Sequence, residues 1–230
     1  MKKNILITGI TKGIGKAIAK KFSQHDFHLI GCSSNSENVH HFLKEFPSAD
    51  VQTVDLSQKN EVIDWGKQVS QKYSSLEILV NNAGKFIPGQ IQNEEDGVLE
   101  YLLQVNLHSA YHLTRIFIPK FITQRAGTIF NICSTASIKP YLNGGSYCIS
   151  KFALLGFSKL LREELKPHGV RVCSILPGAT LTDSWKGTNL PKERFMQPED
   201  IAEIMFTIYQ LPASTVIEEI LLRPMLGDIE

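Results

Sequence analysis

The chain has 230 residues, of which 43% are hydrophobic and 20% are charged, and its formal net charge is +1. This length and composition allow one large hydrophobic core in a single domain. The near-neutral charge argues against nucleic-acid binding, which requires a clustered basic surface. No apolar run reaches the ~18 residues of a membrane-spanning helix. The basic start at 1–4 leads into a strand pattern and not into a signal-peptide core. We therefore expect one domain over residues 1–230, with no nucleic-acid or membrane partner.

Short apolar segments alternate with amphipathic ones along the whole chain. The predicted strands are Asn4–Thr8, His28–Cys32, Val51–Val54, Ile78–Asn81, Thr128–Cys133, Arg171–Ile175 and Ile217–Leu222. The predicted helices are Gly13–Gln24, Ser36–Phe46, Lys59–Tyr73, Gly97–Thr123, Tyr147–Lys166 and Pro198–Tyr209. Near-continuous apolar strands that alternate with helices indicate a parallel sheet covered on both faces. The pattern predicts an α/β, doubly wound (Rossmann) fold with seven parallel strands and a ligand site at their carboxyl ends.

A glycine-rich turn, TGITKGIG at 8–15, joins the first predicted strand to the first predicted helix. Backbone N–H groups and the positive end of the helix make such a turn an anion site, and glycine lets a phosphate approach closely. The spacing is GxxxGxG, which differs from the GxGxxG of the usual dinucleotide motif. By itself the turn is equally consistent with a tight strand-to-helix connection.

A serine, a tyrosine and a lysine form a second pattern. Ser134 precedes Tyr147 by thirteen positions, and Lys151 follows four positions later. Residues four apart on a helix share one face. The lysine charge is expected to favour the phenolate and to lower the pKa of Tyr147 from ~10 by roughly 3 units, toward working pH. For this pair alone, a solvent-facing Tyr and Lys on an amphipathic helix is the alternative.

These motifs together resemble the short-chain dehydrogenase/reductase family, in its compact single-domain branch, from about Lys3 to the C-terminus. The turn at 8–15 matches the family's TGxxxGIG, NNAG at 81–84 its segment after the fourth strand, and PGATLT at 177–182 its PGxxxT segment. The ending IEEILLRP at 217–224 is similar to the tail of sepiapterin-reductase-like and related carbonyl reductases. The VDGG-type ending common in 3-oxoacyl-carrier-protein reductases is absent.

The resemblance implies a catalytic tetrad of Asn106, Ser134, Tyr147 and Lys151. Tyr147 would deliver a proton to a carbonyl oxygen that Ser134 holds by a hydrogen bond. Lys151 would act on Tyr147 and also contact the nicotinamide ribose. Asn106 would fix a water that relays protons to Lys151, although a polar residue that satisfies backbone groups is the local alternative.

The resemblance also implies a set of cofactor contacts spread along the chain. They are Gly9, Thr11, Lys12, Gly13, Ile14, Gly15, Ser33, Ser34, Asp55, Leu56, Asn82, Ala83, Gly84, Tyr147, Lys151, Pro177, Gly178, Thr180 and Thr182. Within this set Asp55 and Leu56 resemble the family's adenine-contacting pair, and Asp55 as a helix N-cap is the alternative.

The choice of cofactor depends on the end of the second predicted strand. Relatives that prefer NAD usually place an acid there, but Ser33 and Ser34 occupy this point and no acid occurs until Glu37. Lys12 lies where NADP-using relatives often carry a basic residue, which can pair with a 2′-phosphate as a point charge. No arginine follows the strand, and Lys12 as a solvated surface lysine is the alternative. NADP(H) is favoured over NAD(H).

The segment 182–197 is expected to cover the active site as a lid. Its apolar residues would form one wall of the substrate site, and four residues elsewhere would form the other. They are Trp185, Leu190, Phe195 and Met196 in the lid, and Phe86, Ile87, Tyr141 and Leu142 opposite. This composition favours a carbonyl flanked by apolar or planar groups.

The cysteines and histidines predict no metal site. The four cysteines include no CxxC pair, and we interpret them as free thiols in a reducing cytoplasm, with Cys148 the most exposed because it follows Tyr147. His108 and His112 are one turn apart on a predicted helix, but no third ligand of suitable spacing accompanies them. They are interpreted as surface or subunit-contact residues.

The two longest predicted helices, Gly97–Thr123 and Tyr147–Lys166, are apolar on more than one face. In the family they form a four-helix contact with a two-fold mate, so a homodimer or homotetramer is expected.

The predicted function is an NADP(H)-dependent oxidoreductase that reduces a small-molecule carbonyl to an alcohol, or the reverse. A catalytically silent NADP(H)-binding sensor on the same fold is the alternative, which the four retained catalytic positions disfavour. An epimerase or dehydratase of the longer branch is disfavoured by the TGxxxGIG spacing.

Overall fold

Seven strands lie in the computed structural model, which describes residues 2–229. They are β1 (Lys3–Thr8), β2 (Phe27–Ser33), β3 (Asp50–Thr53), β4 (Ile78–Asn81), β5 (Thr128–Ile132), β6 (Arg171–Pro177) and β7 (Glu219–Leu222). They pair in parallel in the order β3-β2-β1-β4-β5-β6-β7. The sequence prediction of a seven-stranded parallel sheet is confirmed. The order reverses direction between β1 and β4, and such a switch point opens a crevice at the carboxyl ends of the strands.

Helices cover both faces of the sheet. They are α1 (Gly13–Ser23), α2 (Ser36–Glu45), α3 (Lys59–Lys72), α4 (Val98–Leu103), α5 (Ser109–Gln124), α6 (Gly145–Leu165) and α7 (Pro198–Gln210). The predicted helix Gly97–Thr123 is divided, because a π-helical turn at Gln104–His108 separates α4 from α5. Within residues 2–229, no helix combines the length and the apolar character needed to cross a bilayer.

The strands are apolar at almost every position because each face of the sheet has its own core. In β1, Ile5 and Ile7 pack into the core that α1, α2 and α7 share, whereas Leu6 packs into the core of α3, α5 and α6. Alternate side chains of a strand point to opposite faces, so a doubly covered strand has no polar side.

The four cysteines are free and buried. Cys148 is the most exposed of them, as expected, but it retains only 6% of its surface. Its sulfur lies over the backbone of Gly144, so that following Tyr147 on the helix does not bring it to the surface.

Candidate active site

The predicted site residues converge at the carboxyl edge of the sheet. Each group follows or ends a strand, so the parallel topology brings distant parts of the chain to one crevice. The glycine turn follows β1, Ser33 and Ser34 end and follow β2, and Asp55 and Leu56 come after β3. Asn82, Ala83 and Gly84 follow β4, Ser134 comes after β5, and Pro177, Gly178, Thr180 and Thr182 end and follow β6.

The glycine turn has the shape of a phosphate site. Gly9 and Gly13 have φ of 67° and 52°, a region that side-chain-bearing residues rarely adopt. A Cβ on Gly15 would collide with the carbonyl oxygen of Gly9 and lie 2.6 Å from Nδ2 of Asn82. The first turn of α1 carries no acid and no side-chain cap. Its N–H groups are therefore suited to a phosphate oxygen.

The Asn82 side chain forms hydrogen bonds with the backbone of this turn. Its Nδ2 donates to the carbonyl oxygens of Thr8 and Gly9, at 2.8 and 3.3 Å. The Thr8 hydroxyl in turn accepts the N–H groups of Asn82 and Ala83, both at 3.0 Å. The Asn82 side chain therefore fixes the glycine turn to the end of β4, a contribution that is distinct from a direct cofactor contact.

Tyr147 and Lys151 lie in the first two turns of α6. The Lys151 ammonium donates to the carbonyl oxygen of Ile132 at 2.8 Å, and it lies 5.9 Å from the centre of the Tyr147 ring. Lys151 is buried, with 4% of its surface exposed. This burial rules out the alternative of a solvent-facing pair on an amphipathic helix.

The pKa values of this pair contradict the expectation from the sequence. Burial raises the pKa of Tyr147 to about 12, and the nearby Ser134 hydroxyl offsets only part of the rise. Burial lowers the pKa of Lys151 to about 8. The expected downward shift of the Tyr147 pKa was wrong, because desolvation disfavours the charged form of both groups. Part of the Tyr147 ring is still accessible from the crevice, but the surrounding protein is dense enough to desolvate the phenolate.

Ser134 begins the 3₁₀ turn that follows β5 and is buried. Its hydroxyl oxygen accepts the N–H of Ala136 at 3.1 Å, and its own N–H donates to the Ser137 hydroxyl at 3.2 Å. These two bonds hold the hydroxyl close to the Tyr147 phenol, where both can face one ligand oxygen.

Asn106 lies in the π-helical turn and connects three segments. Its Oδ1 accepts the N–H of Lys85 at 2.7 Å, and its Nδ2 donates to the Lys85 carbonyl at 3.0 Å and to the Ser150 hydroxyl at 2.9 Å. The local alternative, a polar side chain that satisfies backbone groups, therefore describes its contacts. A Cβ on Gly84 would lie 3.4 Å from Asn106 Oδ1 and 3.5 Å from Lys151 Nζ, so that all three residues meet at one point.

A family model described as short chain dehydrogenase matches residues 3–193. The chain belongs to the short-chain dehydrogenase/reductase family. The sepiapterin reductase of Chlorobaculum tepidum is 32% identical, and the alignment covers 100% of this chain and 99% of that protein.

Solved structures of family members superpose along nearly the whole chain. A metagenomic short-chain oxidoreductase in complex with NADP has a TM-score of 0.85 at 28% identity and covers 98% of both chains. A 7α-hydroxysteroid dehydrogenase complexed with NADH and 7-oxo glycochenodeoxycholic acid has a TM-score of 0.90 at 28% identity, with 99% of this chain and 95% of that chain covered. Both nicotinamide dinucleotides thus occur among its structural neighbours.

The part of the crevice between the glycine turn and the end of β2 is polar. The Thr11 hydroxyl donates to the Ser33 hydroxyl at 3.0 Å, which joins the glycine turn to the end of β2. Lys12 is exposed but is not a free surface lysine, because its ammonium lies 2.9 Å from Oδ2 of Asp183 in the lid. The other carboxylate oxygen of Asp183 lies 2.9 Å from Lys186 Nζ. Asp183 was not predicted from the sequence, because Lys12 is far from it in the chain.

Asp55 is not the N-cap of α3, because Gln58 occupies that position. Its Oδ1 accepts the N–H of Ser57 at 2.9 Å and the Ser57 hydroxyl at 2.8 Å, which forms a local turn after β3. The alternative of Asp55 as a helix cap is therefore wrong, and its Oδ2 has no part in this turn.

A buried polar chain supports the site and was missed in the sequence. Asn81 Nδ2 donates to Asn131 Oδ1 at 2.7 Å, and Asn131 Nδ2 donates to the Ser158 hydroxyl at 2.7 Å. These bonds join β4, β5 and α6. The only available signal was an asparagine within each of two apolar strand segments, which does not identify a partner.

The apolar walls differ in part from the prediction. Phe86 packs edge-on against Tyr147, with ring centres 5.0 Å apart, so it is placed to contact a substrate. In the lid, Trp185 packs on Phe195 at 4.9 Å, and Phe195 is buried. Met196 packs against the core and Phe195 is buried, so neither forms an open wall.

Tyr141 and Leu142 line a groove beside the crevice. The groove has a volume of about 840 Å³ and is also lined by Ile149 and Phe152 on the outer face of α6, whereas no tetrad residue borders it. Their predicted role as a substrate wall is thus not supported by this arrangement. Within residues 2–229, no cluster of three or more His, Cys, Asp or Glu side chains is suited to hold a metal ion.

Proposed function

We propose that this protein is an NADP(H)-dependent oxidoreductase that reduces a small-molecule carbonyl to an alcohol, or catalyses the reverse reaction. The observation that carries the proposal is the meeting of Ser134, Tyr147 and Lys151 beside a glycine turn suited to phosphate. Such a constellation combines an oxygen-binding hydroxyl, a proton donor and a cation at one ligand position.

A nicotinamide dinucleotide held by the glycine turn and Lys151 would, when bound, supply the hydride for the carbonyl carbon. The Ser134 hydroxyl donates a hydrogen bond to the carbonyl oxygen and stabilises the negative charge that develops on it. The Tyr147 hydroxyl gives its proton to the same oxygen, so the alcohol leaves neutral. Because burial raises the pKa of Tyr147 to about 12, the phenol is fully protonated at neutral pH.

Lys151 and Asn106 are proposed to restore the proton on Tyr147. Lys151 has a pKa of about 8 and keeps a bond to the Ile132 carbonyl, so it can lose and regain a proton near neutral pH. Asn106 is held by Lys85 and Ser150, and it meets Lys151 around Gly84. A water between Asn106 and Lys151 at this point would connect the lysine to solvent.

The preference for NADP(H) over NAD(H) rests on charge at the end of β2. Ser33 and Ser34 present hydroxyls there, and Lys12 is the nearest cation in the glycine turn. A 2′-phosphate would meet donors and no carboxylate except Asp183, which is the present partner of Lys12. Binding of NADP(H) would exchange that carboxylate for the phosphate, a charge-assisted contact of the same kind.

We also propose a cytoplasmic location and a homo-oligomeric state. Four free, buried thiols fit a reducing compartment, and α4, α5 and α6 carry exposed apolar side chains.

The test is NADPH consumption with a panel of ketones, aldehydes, quinones and pterins, repeated with NADH. The expected result is turnover of at least one carbonyl, with NADPH preferred. Tight NADPH binding without turnover of any compound would instead favour the silent sensor. Failure to bind either dinucleotide would overturn both.

A further inference from the structure

The helix that carries Tyr147 and Lys151 begins without a cap of its own. Gly144, at the N-cap of α6, has no side chain to accept a bond, and the first turn contains no acid. Helix N-termini leave backbone N–H groups unpaired and favour a nearby negative charge. The N–H groups at the start of α6 therefore need an acceptor from another segment of the chain.

Glu94, in the loop between β4 and α4, supplies an acceptor for the start of α6. Its Oε1 accepts the N–H of Ser146 at 2.8 Å, and its Oε2 accepts the Ser146 hydroxyl. Ser146 is buried, with 2% of its surface exposed, and Glu94 is half-buried. The residue that receives both bonds directly precedes Tyr147.

The fit between the carboxylate and the helix start is tight. A Cβ on Gly145 would collide with Oε1 of Glu94 and would lie 2.7 Å from the carbonyl oxygen of Gly89. The glycine pair at 144–145 thus lets the loop lie directly on the first turn of α6. The sequence gives no local sign of this, because the partner is 52 positions away.

A second contact joins the same two segments. The N–H of Gly89 donates to the carbonyl oxygen of Asn143 at 3.0 Å, and Gly89 pairs with Gly144 as an isolated parallel bridge. The loop also carries Phe86, whose ring packs edge-on against Tyr147. Glu94 therefore couples the wall of the crevice to the helix that holds the proton donor.

We propose that Glu94 is a positioning residue for Tyr147: it caps α6 across the crevice and so fixes the phenol relative to the substrate oxygen. This inference rests on the proposed function, since it assigns Glu94 a part in the proton transfer by Tyr147. Proton transfer requires the phenol within hydrogen-bond reach of the carbonyl oxygen. A displacement of about 1 Å at the reacting groups can lower the rate by about a hundredfold.

The first measurement needs no substrate. Glu94→Gln and Glu94→Ala are compared with Glu95→Gln, a change of the same charge at an exposed neighbouring position. Amide hydrogen exchange is followed for the Ser146 N–H. Loss of a bond to a charged acceptor is expected to speed its exchange by roughly tenfold to a hundredfold in Glu94→Ala. A smaller effect is expected in Glu94→Gln, which retains one acceptor oxygen, and none in Glu95→Gln. Unchanged exchange in Glu94→Ala would overturn the capping role.

The second measurement separates positioning from folding and from binding. With a carbonyl substrate found in the panel, Glu94→Ala is expected to lower kcat by about tenfold or more, while KM and the NADPH dissociation constant stay within about twofold. Glu94→Gln should restore part of kcat. In the double variant with Ser146→Ala the effects should not fully add, because Glu94→Ala already removes the bond that the Ser146 hydroxyl makes to Oε2.

The outcomes distinguish this inference from the proposed function. Faster exchange of the Ser146 N–H with an unchanged kcat would show a cap that does not position Tyr147, and the inference would fail. A parallel rise of KM and of the NADPH dissociation constant would indicate a general disturbance and would also overturn it. If the wild-type protein turns over no carbonyl, the proposed function fails and the positioning role fails with it, whereas the exchange result still decides whether Glu94 caps α6.

Discussion

Tyr147 and Lys151 illustrate how burial and charge compete at a single pair of residues. A cation beside a phenol favours the phenolate, but both groups here are surrounded by protein and desolvation disfavours both charges. The Lys151 ammonium also donates a hydrogen bond to the Ile132 carbonyl, and it lies 5.9 Å from the centre of the phenol ring. The raised pKa of Tyr147 therefore keeps its phenol protonated at neutral pH.

We predict that Tyr147→Phe abolishes turnover and leaves NADPH binding intact. The change removes only the transferable proton, so kcat should fall by about a hundredfold or more. Tyr209→Phe is the matched control, because it removes the hydroxyl of a tyrosine on α7 that contacts Lys3 at the start of β1, away from the carboxyl ends of the strands. The NADPH dissociation constant is measured by fluorescence titration alongside the steady-state rates. A Tyr147→Phe protein within about threefold of the wild-type kcat would contradict the assignment of Tyr147 as proton donor.

Local spacing was sufficient to find these residues and insufficient to describe their state. The serine, tyrosine and lysine spacing and the glycine turn placed Ser134, Tyr147 and Lys151 at one site, because parallel strands bring their carboxyl ends together. The pKa of Tyr147 was predicted with the wrong sign, since its burial depends on side chains that pack from the β4–α4 loop and from β5. Glu94 and Asp183 were missed for the same reason, because each acts on a residue that is distant in the chain.

At the level of elements, one ion pair joins the segment 182–197, which was predicted to be a lid, to the glycine turn. Asp183 lies in the 3₁₀ turn Asp183–Trp185, and it pairs with both Lys12 and Lys186. Exposed ion pairs of this kind contribute only about 0–1 kcal/mol, so a phosphate can displace the carboxylate. The lid is therefore connected to the same cation that the proposed 2′-phosphate would use.

We predict that substitutions of Lys12 and of Asp183 change the affinity for NADPH in opposite directions. Lys12→Ala should weaken NADPH by about 1–3 kcal/mol and leave NADH almost unchanged, because one charge-assisted contact is lost. Asp183→Asn should strengthen NADPH by up to about fivefold, since it frees Lys12 from its present partner. Lys186→Ala is the control, because it removes the other partner of Asp183 and leaves Lys12 in place. Dissociation constants for both dinucleotides decide the matter. Equal weakening of NADPH and NADH by Lys12→Ala would show that Lys12 does not contact the 2′-phosphate.

The boundaries of the elements were predictable because they depend on hydrophobic periodicity. The strands and most helices begin and end within two residues of the predicted positions. The exception is the helix that contains Asn106, where a π-helical turn at Gln104–His108 interrupts the regular pattern. Asn106 bonds to the Lys85 backbone across the crevice, so this irregularity follows from a tertiary contact and not from local propensity.

At the scale of the whole molecule, the buried thiols predict a loss of stability in alkaline solution. Burial raises the pKa of Cys32 to about 12, of Cys133 to about 11 and of Cys173 to about 12, from an ordinary 9.0. Above pH 9 the unfolded chain releases these protons while the folded chain retains them. The stability that the thiols contribute is therefore fully present below pH 9 and is lost as the pH rises toward their folded pKa values. Lys151, whose pKa is lowered to about 8, acts in the opposite direction between pH 8 and 10.5.

We expect the free energy of unfolding to fall above pH 9. Each of these thiols lowers it by about 1.4 kcal/mol per pH unit, and Lys151 offsets the effect of one thiol. Urea unfolding midpoints at fixed protein concentration, from pH 7 to 10.5, measure it. Cys173→Ala should reduce the slope by removing one of the three groups. Midpoints that stay constant up to pH 10.5 would contradict the prediction.

The exposed apolar surface of α4, α5 and α6 is narrower than the sequence indicated. Many apolar residues of these helices and of the π-helical turn are buried in the chain's own core, among them Leu102, Val105, Leu113, Phe117, Phe121, Leu154, Leu155 and Leu161. Those that remain exposed are Tyr101, Tyr111, Ile149, Phe152 and Leu160. Gly156 lies between Phe152 and Leu160 and leaves open space above the helix, where another helix could approach closely.

We predict that this surface joins two copies of the chain in an isologous contact. Burial of the exposed apolar side chains of α6 against their two-fold mates removes them from water, which a monomer cannot do. Sedimentation at micromolar concentration should give a species of at least twice the 25.8 kDa of one chain. Phe152→Glu or Leu160→Glu should shift it to the monomer, because each places a charge in the contact. Leu226→Glu is the control, as Leu226 is also an exposed apolar residue but lies in the C-terminal tail. A wild-type protein that sediments as a single species of one chain would show that the α6 surface has another purpose.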